Sequence, residues 1–301
     1  MSEGFLQRVM GNSGLNLARI AILLNETDCH YKRYYIPQKT KMRQIEEPDE
    51  QLMALQRAIL IELSSFPLTE ACLSKPGLGI KDNAAMHLDA KHLLRVDIKR
   101  CYQSITQRLC EQSLTSSNWD STDILEVLPA CLVTYHRRKV LPTGAPTSPL
   151  LCNIALSPLD RCMVQMVPGY RYTRYLDDLI FSTTEDTRDW SLLDRVYKAL
   201  KTFGLQPNYE KSRWYSGAND PMRVTGVSIT NKASAPREIK RLTRARIYSL
   251  AKDGKKIDNI TRGYLAHIKD IDPAYYLYMM DYYKRKRVMN VSTDRLSTGA
   301  K

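Results

Sequence analysis

Apolar side chains recur along the chain at two spacings, one typical of helices and one typical of strands. A helix brings residues three and four apart onto one face, whereas a strand alternates its faces from residue to residue. The helical spacing predicts helices over residues 14–24, 50–65, 83–91, 121–136, 149–166 and 187–203, and again from residue 236 onward. Alternation or β-rich composition predicts a strand at 93–98, strand pairs at 31–45 and 170–183, and strand-like segments at 206–216 and 222–231.

The order of these elements mixes helices with hairpins and lacks the regular βαβ alternation of a doubly wound parallel sheet. It therefore favours an α+β architecture. Loops rich in Gly and Pro are predicted at 75–79 and 142–149. The length of 301 residues suits one large domain or two to three smaller subdomains.

An excess of positive charge points to a polyanionic partner. The chain carries 45 Lys and Arg against 32 Asp and Glu, a formal net charge of +13, which favours nucleic acid over an anionic membrane surface. Residues 232–290 hold fifteen Lys and Arg and six Asp and Glu, so we expect a separate basic helical subdomain there. No apolar run approaches the roughly 20 residues of a membrane span, and no secretory signal opens the chain. These patterns predict a cytoplasmic protein with no membrane partner.

The composition also excludes several other classes of protein. Apolar residues make up 43% of the chain and charged residues 26%, which is typical of a folded chain and not of a disordered one. The seven cysteines are odd in number, irregularly spaced and without a C-x-x-C pair. This pattern disfavours both a disulfide framework and a zinc site, and buried reduced thiols are expected instead.

Three carboxylates lie where strands would be expected to be apolar. Asp97 stands in the predicted strand 93–98, and Asp177 with Asp178 interrupts the predicted strand pair 170–183. Alone, Asp97 fits a strand end or cap and the pair fits a polar hairpin turn, although the pair lacks the Gly that tight turns favour. Together, three converging carboxylates would bind a hard divalent cation such as Mg²⁺. Two such ions are the usual device for phosphoryl transfer, which with the basic chain indicates nucleotidyl transfer.

Several motifs carry a resemblance to a known family. The segment 175–178, Tyr-Leu-Asp-Asp, resembles the Y-x-D-D box of reverse transcriptases. Residues 96–98 followed by 102–105 resemble their first catalytic-aspartate motif, and 141–149 followed by Asn153 resembles their template- and nucleotide-contacting loop. Further matches resemble the retron branch: the N-A-x-x-H box at 83–87, the V-T-G box at 224–226, the thumb-helix motif at 262–265 and the basic fingers hairpin at 34–48.

The resemblance implies the right-hand polymerase fold, an α+β arrangement of fingers, palm and thumb with an antiparallel palm sheet and a helical thumb. It places an N-terminal helix and the fingers over 1–92 and the palm over 93–231, with a finger-derived segment at about 106–140. The thumb and a basic C-terminal tail would follow over 232–301.

The resemblance also implies a catalytic set. Asp97, Asp177 and Asp178, with the main-chain carbonyl of Ile98, would hold two Mg²⁺ ions. Tyr102 would be the steric gate that selects dNTPs, with a core aromatic as the alternative. For Arg43 and Lys41 the alternative is a solvated hairpin, and for Lys211 the alternative is a surface lysine. The predicted dNTP-binding residues are Tyr102, Arg43, Lys41, Thr143, Gly144 and Lys211.

A third set is predicted to bind nucleic acid. For the N-A-x-x-H pair a structural role is the alternative, and for the tyrosines that precede the final basic run a core-facing stripe is the alternative. The predicted residues are Pro142, Asn83, His87, Thr225, Gly226, Lys284, Arg285, Lys286 and Arg287. Two positions depart from the family pattern, Thr143 in place of a usual Gln and Leu176 in place of a usual Ala, and neither removes a predicted metal ligand.

The function implied is that of a retron reverse transcriptase, an RNA-directed DNA polymerase using dNTPs. Its partners would be a cognate structured noncoding RNA (msr-msd), the DNA product and a separate effector protein. Synthesis would begin at a 2′-hydroxyl of an internal guanosine to give branched RNA–DNA (msDNA), in antiphage defence. The alternatives are another bacterial defence or intron-like reverse transcriptase, or a catalytically idle RNA-binding scaffold.

Overall fold

The computed structural model describes residues 4–38, 41–116, 122–216 and 220–298, with the side chains of the final helix described through residue 287. The chain divides into two compact units. The first comprises Met1–Gly77, Leu94–Phe181 and Asp189–Arg213. The second comprises Leu78–Leu93, Ser182–Arg188 and Trp214–Lys301.

The helices and strands follow one another in a mixed order. The first part of the chain forms α1 (Phe5–Ser13), α2 (Leu17–Asn25), β1 (Tyr31–Gln38), β2 (Lys41–Pro48) and α3 (Glu50–Leu63). The middle part forms α4 (Ile80–Ala85), β3 (His92–Asp97), α5 (Cys101–Ser104), α6 (Gln107–Thr115), α7 (Thr122–Val127), β4 (Val133–Tyr135), β5 (Arg138–Val140), α8 (Ser148–Met166), β6 (Arg171–Tyr175) and β7 (Asp178–Thr183). The last part forms α9 (Leu192–Thr202), β8 (Arg213–Ser216), β9 (Arg223–Val224), β10 (Val227–Ile229), β11 (Ala233–Ser234), α10 (Arg237–Lys252), α11 (Asn259–Ile271) and α12 (Pro273–Thr298).

Four groups of paired strands organise the described residues. The largest sheet has the strand order β6-β7-β3-β8, which sets the strand that ends at Asp97 beside the β6–β7 hairpin. A three-stranded antiparallel sheet has the order β11-β10-β9, and β1–β2 and β4–β5 are separate antiparallel hairpins. This mixture of helices and antiparallel pairs confirms the predicted α+β class.

Short polar side chains begin several of the helices. The side chains of Asn16, Asp49, Thr106 and Asp258 each accept a hydrogen bond from the backbone N–H three residues later, at the starts of α2, α3, α6 and α11. Such caps satisfy N–H groups that a helix leaves without intrahelical partners. The same local chemistry corrects one prediction: the helix expected at 14–24 begins only at Leu17, because Asn16 caps it.

Other predictions differ from the structure in their extent. The helix expected over 83–91 lies at Ile80–Ala85, and the one expected over 121–136 gives way to a 3₁₀ turn at Leu128–Cys131 and then to β4. Pro129 explains the second difference, because proline removes a helical hydrogen bond and clashes with the preceding turn. The segment expected as a strand at 206–216 is one only at Arg213–Ser216, because Lys211 and Ser212 fold back to the Asn208 carbonyl. The patterns gave no expectation of α1, α6, β4, β5 or β11.

The basic C-terminal part is helical, as its pattern predicts. Helices α10, α11 and α12 pack around a small apolar core that includes Ile247, Leu265, Met279 and Tyr283. Within the described ranges, none of the helices combines the length and the apolar character needed to cross a membrane.

Candidate active site

The turn between β6 and β7 presents the predicted carboxylate pair. Leu176 in this turn has φ +54°, a left-handed conformation that costs a bulky L-residue about 1–2 kcal/mol. Two contacts hold it there: the Leu176 N–H donates to Ser74 Oγ (3.1 Å), and Arg174 Nη1 donates to the Leu176 carbonyl (3.2 Å). These two hydrogen bonds therefore fix the direction in which the neighbouring Asp177 leaves the turn.

The end of β3 lies directly against this turn. The Ile98 N–H donates to the Asp177 carbonyl at 2.9 Å, and Asp97 is 3% exposed. Burial, together with the charges of Asp178 and Asp97, raises the pKa of Asp177 above its ordinary value. Burial also raises the pKa of Asp178, against the opposing effect of Arg95. The structure thus brings the three predicted carboxylates into one electrostatic cluster.

Nearby cations and an amide already contact two of these carboxylates. Arg95 grips Asp178 through Nε and Nη2 at 2.8–3.0 Å. Asn208 Nδ2 donates to Asp97 Oδ1 at 2.7 Å, and Lys211 Nζ donates to Oδ2 at 3.2 Å. Neither Arg95 nor Asn208 was predicted from the sequence as part of the site. Strand alternation could have revealed Arg95, because residues two apart, such as Arg95 and Asp97, lie on the same face of a strand.

The donor chemistry of the cluster suits a divalent metal ion. Its side-chain donors are carboxylate oxygens, which Mg²⁺ prefers, and the raised pKa of Asp177 marks negative charge that such an ion would neutralise. Over the described residues, no three His, Cys, Asp or Glu side chains are already gathered in a metal-binding arrangement. A metal bound here would therefore compete with Arg95 and Lys211 for the carboxylates that they contact.

A cleft of about 470 Å³ opens beside the carboxylates, with Asp97, Ile98 and Asp177 in its wall. Most of the predicted dNTP-binding residues share this cleft. The five that line it are Lys41, Arg43, Tyr102, Thr143 and Lys211. Burial raises the pKa of the Tyr102 hydroxyl, so the ring stays neutral beside the acidic cluster. The cations on β2 are exposed and free to approach an anion in the cleft.

Gly144, the sixth predicted dNTP residue, does not line the cleft and lies instead against the base of the β1–β2 hairpin. Its φ is +129°, and a Cβ there would lie 2.7 Å from the Glu46 carbonyl oxygen. Next to it, the Thr143 N–H donates to Glu46 Oε2 and the Glu46 N–H donates to the Thr143 carbonyl, both at 2.7 Å. Glycine is needed here for close backbone approach. The contact fixes the hairpin to the 141–149 loop.

The predicted nucleic-acid residues divide into buried and exposed sets. Pro142 is buried, and its carbonyl accepts from Ser148 Oγ at 2.7 Å. Asn83 and His87 are both 0% exposed, and His87 Nδ1 lies 2.7 Å from Ser182 Oγ. The structure therefore favours the structural alternative for this pair, because neither side chain presents a surface to nucleic acid.

The V-T-G box forms a tight hairpin between β9 and β10. Val224 pairs with Val227, and the two intervening residues, Thr225 (φ +46°) and Gly226 (φ +84°), both have positive φ. That combination is typical of a two-residue type I′ loop. Thr225 is half-buried and its Oγ1 donates to the Ile80 carbonyl (3.3 Å), whereas Gly226 is exposed.

The final basic run lies on α12. Arg285 pairs with Asp281 one turn earlier at 2.7 Å, and the Lys286 ammonium lies 5.9 Å from the centre of the Tyr282 ring. The preceding tyrosines differ in their exposure. Tyr283 is buried in the helical core, whereas Tyr278 is 43% exposed. The remaining two members of the run, Lys284 and Arg287, are exposed.

A buried polar network under the Leu176 turn was not expected from the sequence. Arg174 and Asp160 are both 0% exposed and are joined by two parallel hydrogen bonds of 2.8 Å. Arg174 Nη1 also donates to Asn153 Oδ1 at 2.8 Å, and Ser74 Oγ donates to the same oxygen at 3.0 Å. The only available signal was a charged residue in a β-rich stretch, which does not identify its partner.

Comparisons with known proteins identify a family model and several relatives that the chain resembles. Residues 32–229 match the family model described as reverse transcriptase (RNA-dependent DNA polymerase). The chain is 32% identical over 276 residues to the retron Ec83 reverse transcriptase of Escherichia coli, covering 84% of this chain and 87% of that one. It is 29% identical over 266 residues to the retron Mx65 reverse transcriptase of Myxococcus xanthus, covering 81% and 62%.

Solved structures show the fold. The telomerase of Candida albicans, in complex with a TWJ fragment of telomeric RNA, aligns with a TM-score of 0.52 at 14% identity, over 87% of this chain and 55% of that one. Apo telomerase of Candida tropicalis aligns with a TM-score of 0.50 at 13% identity, over 89% and 57%. The chain spans just over half the length of these telomerases. The likeness confirms the predicted right-hand fold.

Proposed function

We propose a function from the premise that this chain belongs to the reverse transcriptase (RNA-dependent DNA polymerase) family and is an RNA-directed DNA polymerase of the retron type. It would copy one cognate structured RNA. Synthesis would begin at the 2′-hydroxyl of an internal guanosine and yield msDNA, in the cytoplasm and as part of antiphage defence with a separate effector. The observation that carries the chemistry is the cluster of Asp97, Asp177 and Asp178 beside a cleft lined by cations.

In each addition step, the primer hydroxyl oxygen would form a bond to the α-phosphorus of the dNTP and give up its proton to water. The bond from that phosphorus to the bridging oxygen breaks, and pyrophosphate leaves with its electron pair. Two Mg²⁺ ions held by Asp97, Asp177, Asp178 and the Ile98 carbonyl would activate the hydroxyl and neutralise the phosphates. The family's use of divalent ions supports this assignment.

The chain's own residues would position the nucleotide. Arg43 and Lys41 lie in the wall of the cleft and would grip the triphosphate, Arg43 through paired N–H groups. Lys211 Nζ, 3.2 Å from Asp97, would donate a proton to the departing pyrophosphate or neutralise its charge. The Tyr102 ring would exclude a 2′-hydroxyl.

The three-part organisation predicted from the family remains part of this proposal. The N-terminal helix and fingers would occupy 1–92, and the palm would occupy 93–231 with a finger-derived segment at about 106–140. The thumb and basic C-terminal tail would occupy 232–301. Support for a nucleic-acid surface on the last part comes from α10 and α12, where Lys240 lies 4.4 Å from the Tyr275 ring and Arg244 lies 5.1 Å from the Tyr282 ring. These two rings are half-buried, and the exposed ring of Tyr278 lies next to them. Rings beside cations suit stacking with the unpaired bases of a structured RNA.

Primer extension tests the catalytic assignment. Asp177→Asn and Asp178→Asn should each abolish dNTP incorporation on an RNA template while RNA binding persists. Asp186→Asn is the matched control, because Asp186 is a strongly exposed carboxylate paired only with Lys91 among the described ion pairs. Full incorporation by either cluster variant would refute the assignment, and inactive wild-type protein would favour the idle-scaffold alternative.

A second experiment tests the retron proposal itself. Nucleic acid extracted from the purified protein is treated with RNase and then with a 2′,5′-debranching enzyme. A DNA of fixed length whose mobility changes on debranching is the expected result. Random cellular RNA, with no branched DNA, would favour another bacterial defence or intron-like reverse transcriptase.

A further inference from the structure

A second groove lies in the first unit and shares part of its wall with the nucleotide cleft. Its volume is about 770 Å³, and Arg100 and Gln103 line both spaces. Four cations face it, Lys99, Arg100, Arg108 and Arg138, and none of the described lining residues is acidic. A concave surface lined by one sign of charge concentrates anions.

The described part of the chain does not neutralise the four cations. All four are exposed, and none has an ion pair among the described residues. The contrast with a neighbour is direct: Lys139, next to Arg138, pairs with Asp28 at 3.1 Å. The fold thus neutralises the lysine outside the groove and leaves the arginine inside it available to a ligand.

Arg100 reaches this position through an unusual backbone. Its φ is +49° and ψ is +50°, a left-handed conformation that Gly or Asn adopts more readily than Arg. The surrounding chain holds it: the Lys99 N–H donates to the Gln206 carbonyl at 2.8 Å, and Ser104 Oγ donates to the Arg100 carbonyl at 3.1 Å. Strain of this kind concentrates at functional sites, and here it places a cation between the two spaces.

We propose that this groove binds condensed phosphate. This chemistry is shared by the pyrophosphate that leaves after each addition and by the triphosphate of an arriving dNTP. The inference rests on the proposed nucleotidyl transfer. Because Arg100 and Gln103 line both spaces, we expect a ligand that passes between the groove and the cleft. A compact anion with several charges matches the four cations around the groove.

The test removes the two arginines that line the groove but not the cleft. Binding of inorganic pyrophosphate is measured by calorimetry without divalent metal, for wild type, for Arg108→Ala/Arg138→Ala and for the control Arg57→Ala/Arg161→Ala. Both control arginines are exposed, lie in the first unit and line neither space. The groove variant should bind roughly tenfold more weakly, because charge-assisted contacts are lost, and the control should match wild type.

Further arms identify the source of the phosphate and separate the two proposals. Asp177→Ala should keep pyrophosphate binding, so a failed polymerase assignment would leave this result intact. With Asp177 intact, the groove substitutions should raise the inhibition constant of pyrophosphate if the groove binds the departing product. They should instead raise the KM for dNTP if the groove binds the arriving substrate. Unchanged pyrophosphate affinity in the groove variant would overturn the proposal. So would a loss confined to RNA affinity, which would make the groove a nucleic-acid track.

Discussion

The buried ion pair of Arg174 and Asp160 should contribute strongly to the free energy of unfolding. Asp160→Asn keeps the shape of the side chain but replaces a charged acceptor with an amide, one end of which is a donor. The Arg174 guanidinium, 0% exposed, then carries a buried charge with no carboxylate against it. Breaking a buried pair in this way costs about 3–5 kcal/mol, a large part of the roughly 5–15 kcal/mol that stabilises a folded chain.

The matched control is Asp189→Asn, which disrupts the pair between Asp189 and Arg195. Its side chains are 40% and 38% exposed, so solvent already screens the interaction and the expected cost is about 0.2–1 kcal/mol. Urea unfolding followed by circular dichroism measures both variants. Equal losses in the two, within about 0.5 kcal/mol, would refute the reasoning.

A double variant separates stability from positioning. Asp160→Leu with Arg174→Met removes both charges, and such replacements are often neutral for stability. It also removes the hydrogen bond from Arg174 to the Leu176 carbonyl, which helps hold the strained turn beside Asp177. We expect the free energy of unfolding of the double variant to return towards that of wild type. Its rate of dNTP incorporation should remain below that of wild type. Recovery of both would show that the network stabilises the fold without positioning the turn.

Three other predictions follow from the site and its surroundings. Tyr102→Ala should raise rNTP incorporation relative to dNTP by about tenfold or more, and an unchanged ratio in single-nucleotide kinetics would reject the gate. Gly144→Ala should destabilise the chain by about 1–3 kcal/mol, because the Cβ would meet the Glu46 carbonyl at 2.7 Å; an unchanged urea midpoint would contradict this. At pH 8, a thiol reagent should modify the exposed Cys29 rapidly and at most one further, half-buried thiol, because the other five are buried. Burial raises the pKa of Cys131 to about 12, so almost none of this thiol is ionised at pH 8. All seven thiols should react in denaturant.

Local pattern predicted much of the fold. Alternating composition located the β1–β2 and β6–β7 hairpins, and apolar spacing located α3 and α8, because each signal lies within the element itself. The helix expected over 121–136 failed because its apolar spacing continued through Pro129 and into β4. Two residues of the strand pair predicted over 31–45, Lys39 and Thr40, lie outside the described residues.

The site was predictable where a motif carried it and not where distant segments meet. The three carboxylates were found from their misfit in strands, and family resemblance assigned the cations of the cleft. Gly144 was assigned to the nucleotide, yet its neighbour is Glu46, almost a hundred positions earlier in the chain. The partners of Arg174 lie 14 and 21 residues away, and no spacing rule identifies such contacts.

The contact between β2 and the 141–149 loop fixes one end of the β1–β2 hairpin and leaves the other end free to move. The fixed end is at Glu46, where two hydrogen bonds and the close approach of Gly144 leave no room for slippage. Lys41 stands five residues away, about 17 Å along the strand. A rotation of about 10° at the fixed end would carry the free end through about 3 Å, enough to make or release a phosphate contact.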